Sequence, residues 1–205
     1  VALIHGYCVS QGHEDNPWFY NERATLSTLA GAAWRLKGWI ALEEFSTQKW
    51  AGRAASGGVE SGELRSGRCD LHVANRTSAY AVEAKQAWQP IGQPAEPYGR
   101  VDEALVSAKR DARTLTVDEA DVRIAAVFAV PFLPVSRVQS EGGKVDQAKV
   151  LGKVTEWLRH LKDRQHDAIA YYFTPHCSAM ISADGKRLFP GVLLTLDICR
   201  RAKRA

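Results

Sequence analysis

The sequence predicts an α/β (α+β) protein, a mixed central sheet with helices packed on its faces, in a single domain over residues 1–205. Three observations carry this expectation. Segments with apolar residues at helical spacing alternate with short runs of β character. One of those runs, Arg123-Ile-Ala-Ala-Val-Phe-Ala-Val130, is continuously apolar, as a strand covered on both faces must be. The chain has 205 residues, 45% hydrophobic and 24% charged, which suits one continuous core, and no internal repeat or composition break divides it.

Residues 1–20 hold Gly12, Asn16 and Pro17 among mixed residues and read as an irregular lead-in. Asn21 is a candidate N-cap, and Glu22, Leu26, Leu29, Ala33 and Leu36 recur at helical spacing until Gly38. Trp39–Phe45 reads as a strand. Residues 51–67 (AGRAASGGVESGELRSG) read as a mobile loop or a long hairpin tip, and without a GK[ST] ending they are not a phosphate-binding P-loop. Two β-like runs follow, Cys69–Ala74 and Ala79–Ala87, joined by the turn-forming Asn75-Arg76-Thr77. Pro90 to Gly99 leads into a helix at 101–115, with Val101, Leu105, Ala108, Ala112 and Leu115 as its buried stripe. Pro131 and Pro134 end the apolar strand. A helix at 145–162 follows, its stripe formed by Val150, Leu151, Val154, Trp157, Leu158 and Leu161. Ala168–Thr174 is another strand. The core is expected over about residues 20–175, with 176–205 adding a hairpin that turns at Asp184-Gly185, a strand Val192–Ile198 and a basic tail.

Composition narrows the function classes. No apolar run approaches the roughly 20 residues of a membrane span, and Val1–Ser10 lacks the basic region that opens a secretory signal. Cys8, Cys69, Cys177 and Cys199 are scattered without a CxxC pair, which points to free thiols in a reducing, cytoplasmic setting. His176-Cys177, with His160 and His166 nearby, matches no common zinc spacing. The net charge of +4 permits a polyanionic partner without requiring one. Lys109, Arg110 and Arg113 lie off the buried stripe of their helix, placed to contact phosphates or simply to be solvated. Arg200, Arg201, Lys203 and Arg204 form a basic tail. Trp34, Trp39, Trp50, Trp88 and Trp157 are mostly core by position, although Trp50 and Trp88 flank loops, where an indole can stack a base.

The residues with chemistry are Asp70, in Gly-Arg-Cys-Asp-Leu-His-Val, and Glu83 and Lys85, in Tyr-Ala-Val-Glu-Ala-Lys. Alternate side chains of a strand share a face, so Glu83 and Lys85 point the same way about 6.6 Å apart. A short turn makes the Asp70 strand their antiparallel neighbour. Two carboxylates and an ammonium then converge, and carboxylate oxygens are what Mg²⁺ takes as ligands. The bare [DE]-x-K triplet is uninformative, since roughly one chain of this length in two contains it by chance. Asp184-Gly185-Lys186 fits it too, but on an expected hairpin tip. The Glu83 copy sits inside an apolar strand, where unpaired charges are costly to bury. A buried ion pair on the sheet face is the competing explanation.

Helix, three strands with Asp on the second and Glu-x-Lys on the third, helix, strand: this order over residues 20–130 resembles the core of the PD-(D/E)XK, restriction-endonuclease-like nuclease superfamily. Asp70, Glu83 and Lys85 match its motif, and Cys69 stands where many members have proline. The resemblance implies Mg²⁺-dependent phosphodiester hydrolysis, with Mn²⁺ as a substitute, and the backbone carbonyl of Ala84 as a further metal ligand. It also implies an acid on the first helix. Glu22 suits that place, because Leu26, Leu29, Ala33 and Leu36 fall within about 40° of it on the helix; an acid in a first turn also favours the helix dipole. His72 lies on the Asp70 face if alternation holds, either near the scissile phosphate or as a structural histidine. Glu43 and Glu44 point opposite ways from the first strand, one of them toward the site. Gly52 to Gly67 is expected as a flap. DNA is the expected partner, with a homodimer or larger complex left open. The alternative is a catalytically silent nucleic-acid-binding or complex-subunit module of the same fold.

Overall fold

The structure, a computed structural model, describes residues 1–51, 63–92, 97–116 and 120–199. In chain order its elements are α1 (Ala2–Ser10), α2 (Glu22–Trp34), β1 (Ile40–Ala51), β2 (Glu63–Ala74), β3 (Ala79–Pro90), α3 (Gly99–Thr114), β4 (Val122–Pro134), α4 (Gln147–Arg159), β5 (Ala168–Phe173), β6 (Arg187–Leu188) and β7 (Gly191–Ile198). The strands form one mixed sheet in the order β1-β2-β3-β4-β7-β5, with β6 paired to the far end of β4. β3 and β4 are parallel and every other pair is antiparallel. A parallel pair needs a crossover, and α3 lies within it. Among the described residues no helix is long and apolar enough to cross a membrane.

β4 is the centre of the core, and its alternation builds both layers. Ala126, Phe128 and Val130 pack with Leu26 and Ala30 of α2, together with Trp18, Leu71, Val82 and Ala84. Ala125, Val127, Ala129 and Leu133 pack on the opposite face with Val101, Leu105, Ala108 and Ala112 of α3 and Val150, Val154 and Trp157 of α4. The centre of the sheet at β4 is therefore covered on both sides. The Asn75 turn forms as expected, its side-chain oxygen accepting from the amides of Thr77 and Ser78 at 2.9 and 2.8 Å.

Several elements differ from the sequence expectation. The lead-in contains a regular helix, α1, with only Cys8 buried, so its apolar residues show no periodic face. It lies against α2, where Leu3 Cδ1 is 3.3 Å from the place a Cβ on Gly31 would occupy. β1 and β2 are longer than expected: residues 63–67 pair with β1, and the rest of the expected flap, 52–62, lies outside the described residues, as does the basic tail. β4 runs through Pro131 instead of ending there. The Phe132 carbonyl accepts from Ile91 on the β3 side, so Pro131 turns its nitrogen the other way, beyond the last β7 pair at Ala129↔Leu193. No ladder bond is lost there. β7, expected as an addition after the core, sits between β4 and β5. Trp34, Leu36 and Leu151, expected inside, are 56%, 57% and 61% exposed; α2 stops at Trp34, so Leu36 falls off its stripe.

Candidate active site

β2 and β3 pair from Ala74↔Ala79 to Leu71↔Val82 and then separate. Beyond Val82 the β2-facing edge of β3 is open, and the amides of Ala84 and Gln86, two residues apart, point into the gap. Each meets a carboxylate. Asp70 Oδ2 accepts from Ala84 N at 2.8 Å, and Glu22 Oε2 accepts from Gln86 N at 2.9 Å. Two acids from different elements thus continue the ladder where the neighbouring backbone has left it. A strand residue sends its carbonyl to the same edge as its N–H, so the Ala84 carbonyl opens beside them.

Local structure explains how each acid arrives. Asn21 caps α2, its Oδ1 accepting from Ala24 N at 2.9 Å, which fixes Glu22 in the first turn. Gln86 locks the lead-in to β3 by donating from Nε2 to the Trp18 carbonyl at 2.9 Å. Asp70 sits where the alternation of β2 breaks: Leu71 is buried on the α2 face, while Cys69 is buried with Leu115 on the other. Opposite it, Glu44 of β1 has a left-handed backbone (φ 51°) between the pairs Glu43↔Leu71 and Phe45↔Cys69.

Glu83 and Lys85 share the α3 face, as the spacing predicts, but each has a partner the sequence did not suggest. Glu83 is only 2% exposed, and its Oε1 accepts from Lys49 Nζ at 2.7 Å. Lys85 Nζ is 3.1 Å from Asp111 Oδ2 on α3. Lys49 reaches Glu83 across β2 at Gly67, where a Cβ would lie 2.9 Å from both Lys49 Cγ and Cδ. Gly67 was the available signal, since a strand glycine marks a close approach, but it read as part of a loop. Nothing local marked Asp111.

Charge couples the group. Burial pushes the Glu83 carboxyl up to about 7, with the charge of Asp70 adding and Lys49 and Lys85 opposing. Burial also raises Glu22, aided by Asp70 and opposed by Lys85, the Gln86 amide and Arg23. Burial works to lower Lys85, but the hydrogen bond and charge of Asp111, with the charges of Asp70 and Glu22, outweigh it and leave the ammonium above its ordinary value.

The other expected residues lie elsewhere. His72 stacks on Phe45, with ring centroids 4.6 Å apart, opposite Ala81 and about 10 Å along β3 from Ala84. Lys109 turns to the sheet, its Nζ 2.5 Å from Asp197 Oδ2, and His166 Nδ1 lies 2.7 Å from Asp197 Oδ1. Arg110 is exposed beside Asp111, and Arg113 is exposed. Lys109 is therefore committed to Asp197, and only Arg110 and Arg113 of these three remain exposed. Glu43 accepts from Ser27, and Glu44 pairs with Arg23 and Arg68. Asp184 caps its own turn by accepting from Lys186 N at 3.1 Å. The rings of His176 and His13 meet at a tilt of 34° with centroids 4.3 Å apart, and the Cys177 thiol meets Gln147.

Among the described residues no three His, Cys, Asp or Glu side chains stand gathered as a metal-holding set. The donor chemistry at the β3 edge nevertheless fits a hard cation. Asp70 engages the Ala84 amide through Oδ2 and Glu22 the Gln86 amide through Oε2, and the Ala84 carbonyl faces the same gap. Mg²⁺ characteristically takes one or two carboxylates and completes its shell with water. Glu83 shares its Oε1 with Lys49. The chain matches no protein-family model, no curated protein and no solved structure.

Proposed function

We propose that the chain is a metal-dependent nuclease of the restriction-endonuclease-like type that hydrolyses phosphodiester bonds in DNA. One observation carries the reading: carboxylates from α2 and β2 meet successive amides on the open edge of β3, at the level of the Glu83-Ala84-Lys85 triplet. The element order supports it, since a helix precedes three antiparallel strands and a crossover helix leads to a parallel fourth. Asp70, Glu22 and the Ala84 carbonyl would hold Mg²⁺ or Mn²⁺, with Glu83 recruited from its ion pair. When bound, such a cation polarises a phosphoryl oxygen and makes a bound water more acidic.

Lys85 supplies the positive charge. Its raised pKa keeps it protonated at neutral pH, which suits neutralising charge on the phosphorane and orienting the attacking water rather than deprotonating it. Asp111 steers that ammonium. Glu83, with a carboxyl near 7, is the group in this site able to exchange a proton around neutrality.

Cleavage of single- and double-stranded DNA, with RNA alongside, tests the reading in Mg²⁺ and in Mn²⁺. Lys85→Ala should lower the rate about a hundredfold or more. Unchanged cleavage by that variant overturns the mechanism. A second reading, a silent nucleic-acid-binding module of the same fold, draws on the sealed Glu83–Lys49 pair. Binding of DNA with no cleavage of any substrate by the unaltered protein would favour it.

A further inference from the structure

Beyond Gln86 the open edge of β3 runs into a groove of about 600 Å³. Trp88 follows Gln86 on the same face, about 13 Å along the strand from Ala84. It is 38% exposed, with its indole set edge-on against Phe189 at 5.3 Å and 83°. On β4, Phe132 lines the groove, and the Arg187 guanidinium lies over its ring, 5.2 Å from the centroid. Arg100, in the first turn of α3, borders the groove from the other side; its ion pair with Glu103, at 3.3 Å between two well-exposed side chains, is weak and exchangeable. One end of the groove is Gln86, the residue whose amide holds Glu22.

An aromatic surface left open beside two guanidinium groups calls for a ligand with flat apolar faces and a regular negative charge. A polynucleotide has both, but a duplex keeps its base faces stacked inside, and only unpaired nucleotides present them. We infer that this groove binds unpaired nucleotides of the substrate strand next to the scissile phosphate, one base stacked on Trp88 and the neighbouring phosphates met by Arg100 and Arg187. The identity of the strand as substrate rests on the nuclease reading; its affinity for the groove does not. The protein then prefers single-stranded DNA, or frayed ends of a duplex, to an intact duplex.

The test is binding of a labelled oligothymidylate and of a blunt duplex by fluorescence anisotropy, with chelator present so that no turnover is needed. The single strand should bind more tightly than the duplex. Trp88→Ala should weaken single-strand binding roughly five- to a hundredfold, the loss of one stacked base, and Trp88→Phe should recover most of it. Arg187→Gln should reduce the salt dependence of log K by about 0.7, one phosphate contact on a single strand. A melting curve for each variant separates loss of fold from loss of binding, and Arg187, with a largely exposed position, reads the groove independently of Trp88. Single-strand binding indifferent to both substitutions, equal affinity for the duplex, or equal competition by polyglutamate overturns the inference. Absence of all nucleic-acid binding does so too. The two readings fail separately: Lys85-dependent cleavage indifferent to Trp88 sinks the groove alone, whereas Trp88-dependent binding without cleavage sinks the nuclease alone.

Discussion

Glu83 lies between opposing influences, burial and Asp70 on one side and two lysines on the other, and the balance leaves its carboxyl near 7. Lys49 provides the nearest restraint. Replacing it with Met removes a hydrogen bond and a charge that both lower Glu83, so on the nuclease reading the acid limb of the cleavage pH profile should move to higher pH. An unmoved acid limb would show that Glu83 does not control the reaction. None of this was legible from Glu83 and Lys85 alone. Their shared face follows from the two-residue period of a strand, which is local. The partners Lys49 and Asp111 come from other elements, and the only trace of the first was Gly67, whose missing side chain clears the route.

At the scale of elements, α2 and β2 matter because the first starts at Glu22 and the second bends at Asp70. The Asn21 cap holds the first turn that carries Glu22. Asn21→Ala should cost about 1 kcal/mol, which in a chain of this size lowers Tm by about 2–4 °C. If Glu22 serves the site, Mg²⁺ affinity should fall further than this loss of stability accounts for. Normal affinity in the destabilised variant would remove Glu22 from the metal set. Asn21, Glu22 and the start of α2 were readable because cap and periodicity are short-range signals. α1 was not, because a helix with no apolar stripe is selected by packing against α2 rather than by its own pattern. The path of β4 through Pro131 was likewise invisible, since a proline is harmless only where the neighbouring strand has already stopped.

For the whole molecule, the site couples folding to pH and, on the proposed reading, to metal. The raised Glu83 means that the folded protein keeps a proton which the unfolded chain loses at the ordinary glutamate range. That contribution to stability is complete below the ordinary range and gone once the pH passes about 7. On the proposed reading Mg²⁺ takes the ionised form of the same carboxyl, so its stabilisation of the fold should be larger above pH 7 than below it. Thermal melts with and without Mg²⁺ on both sides of neutrality check this, and a metal effect independent of pH would exclude Glu83 as a ligand.

The sequence by itself determined the types of most elements after the lead-in, the turn at Asn75, the central burial of β4 and the positions of Asp70, Glu83, Lys85 and Glu22, because periodicity, caps and spacing act over a few residues. Only the tertiary structure decided that β7 enters the middle of the sheet and that β2 leaves β3 at Val82. The same divergence sends Asp70 and Glu22 to adjacent amides, pairs Lys49 with Glu83, and opens the groove at Trp88. Those contacts join residues up to 64 positions apart, as between Glu22 and Gln86. They depend on where two strands part, which no local pattern encodes.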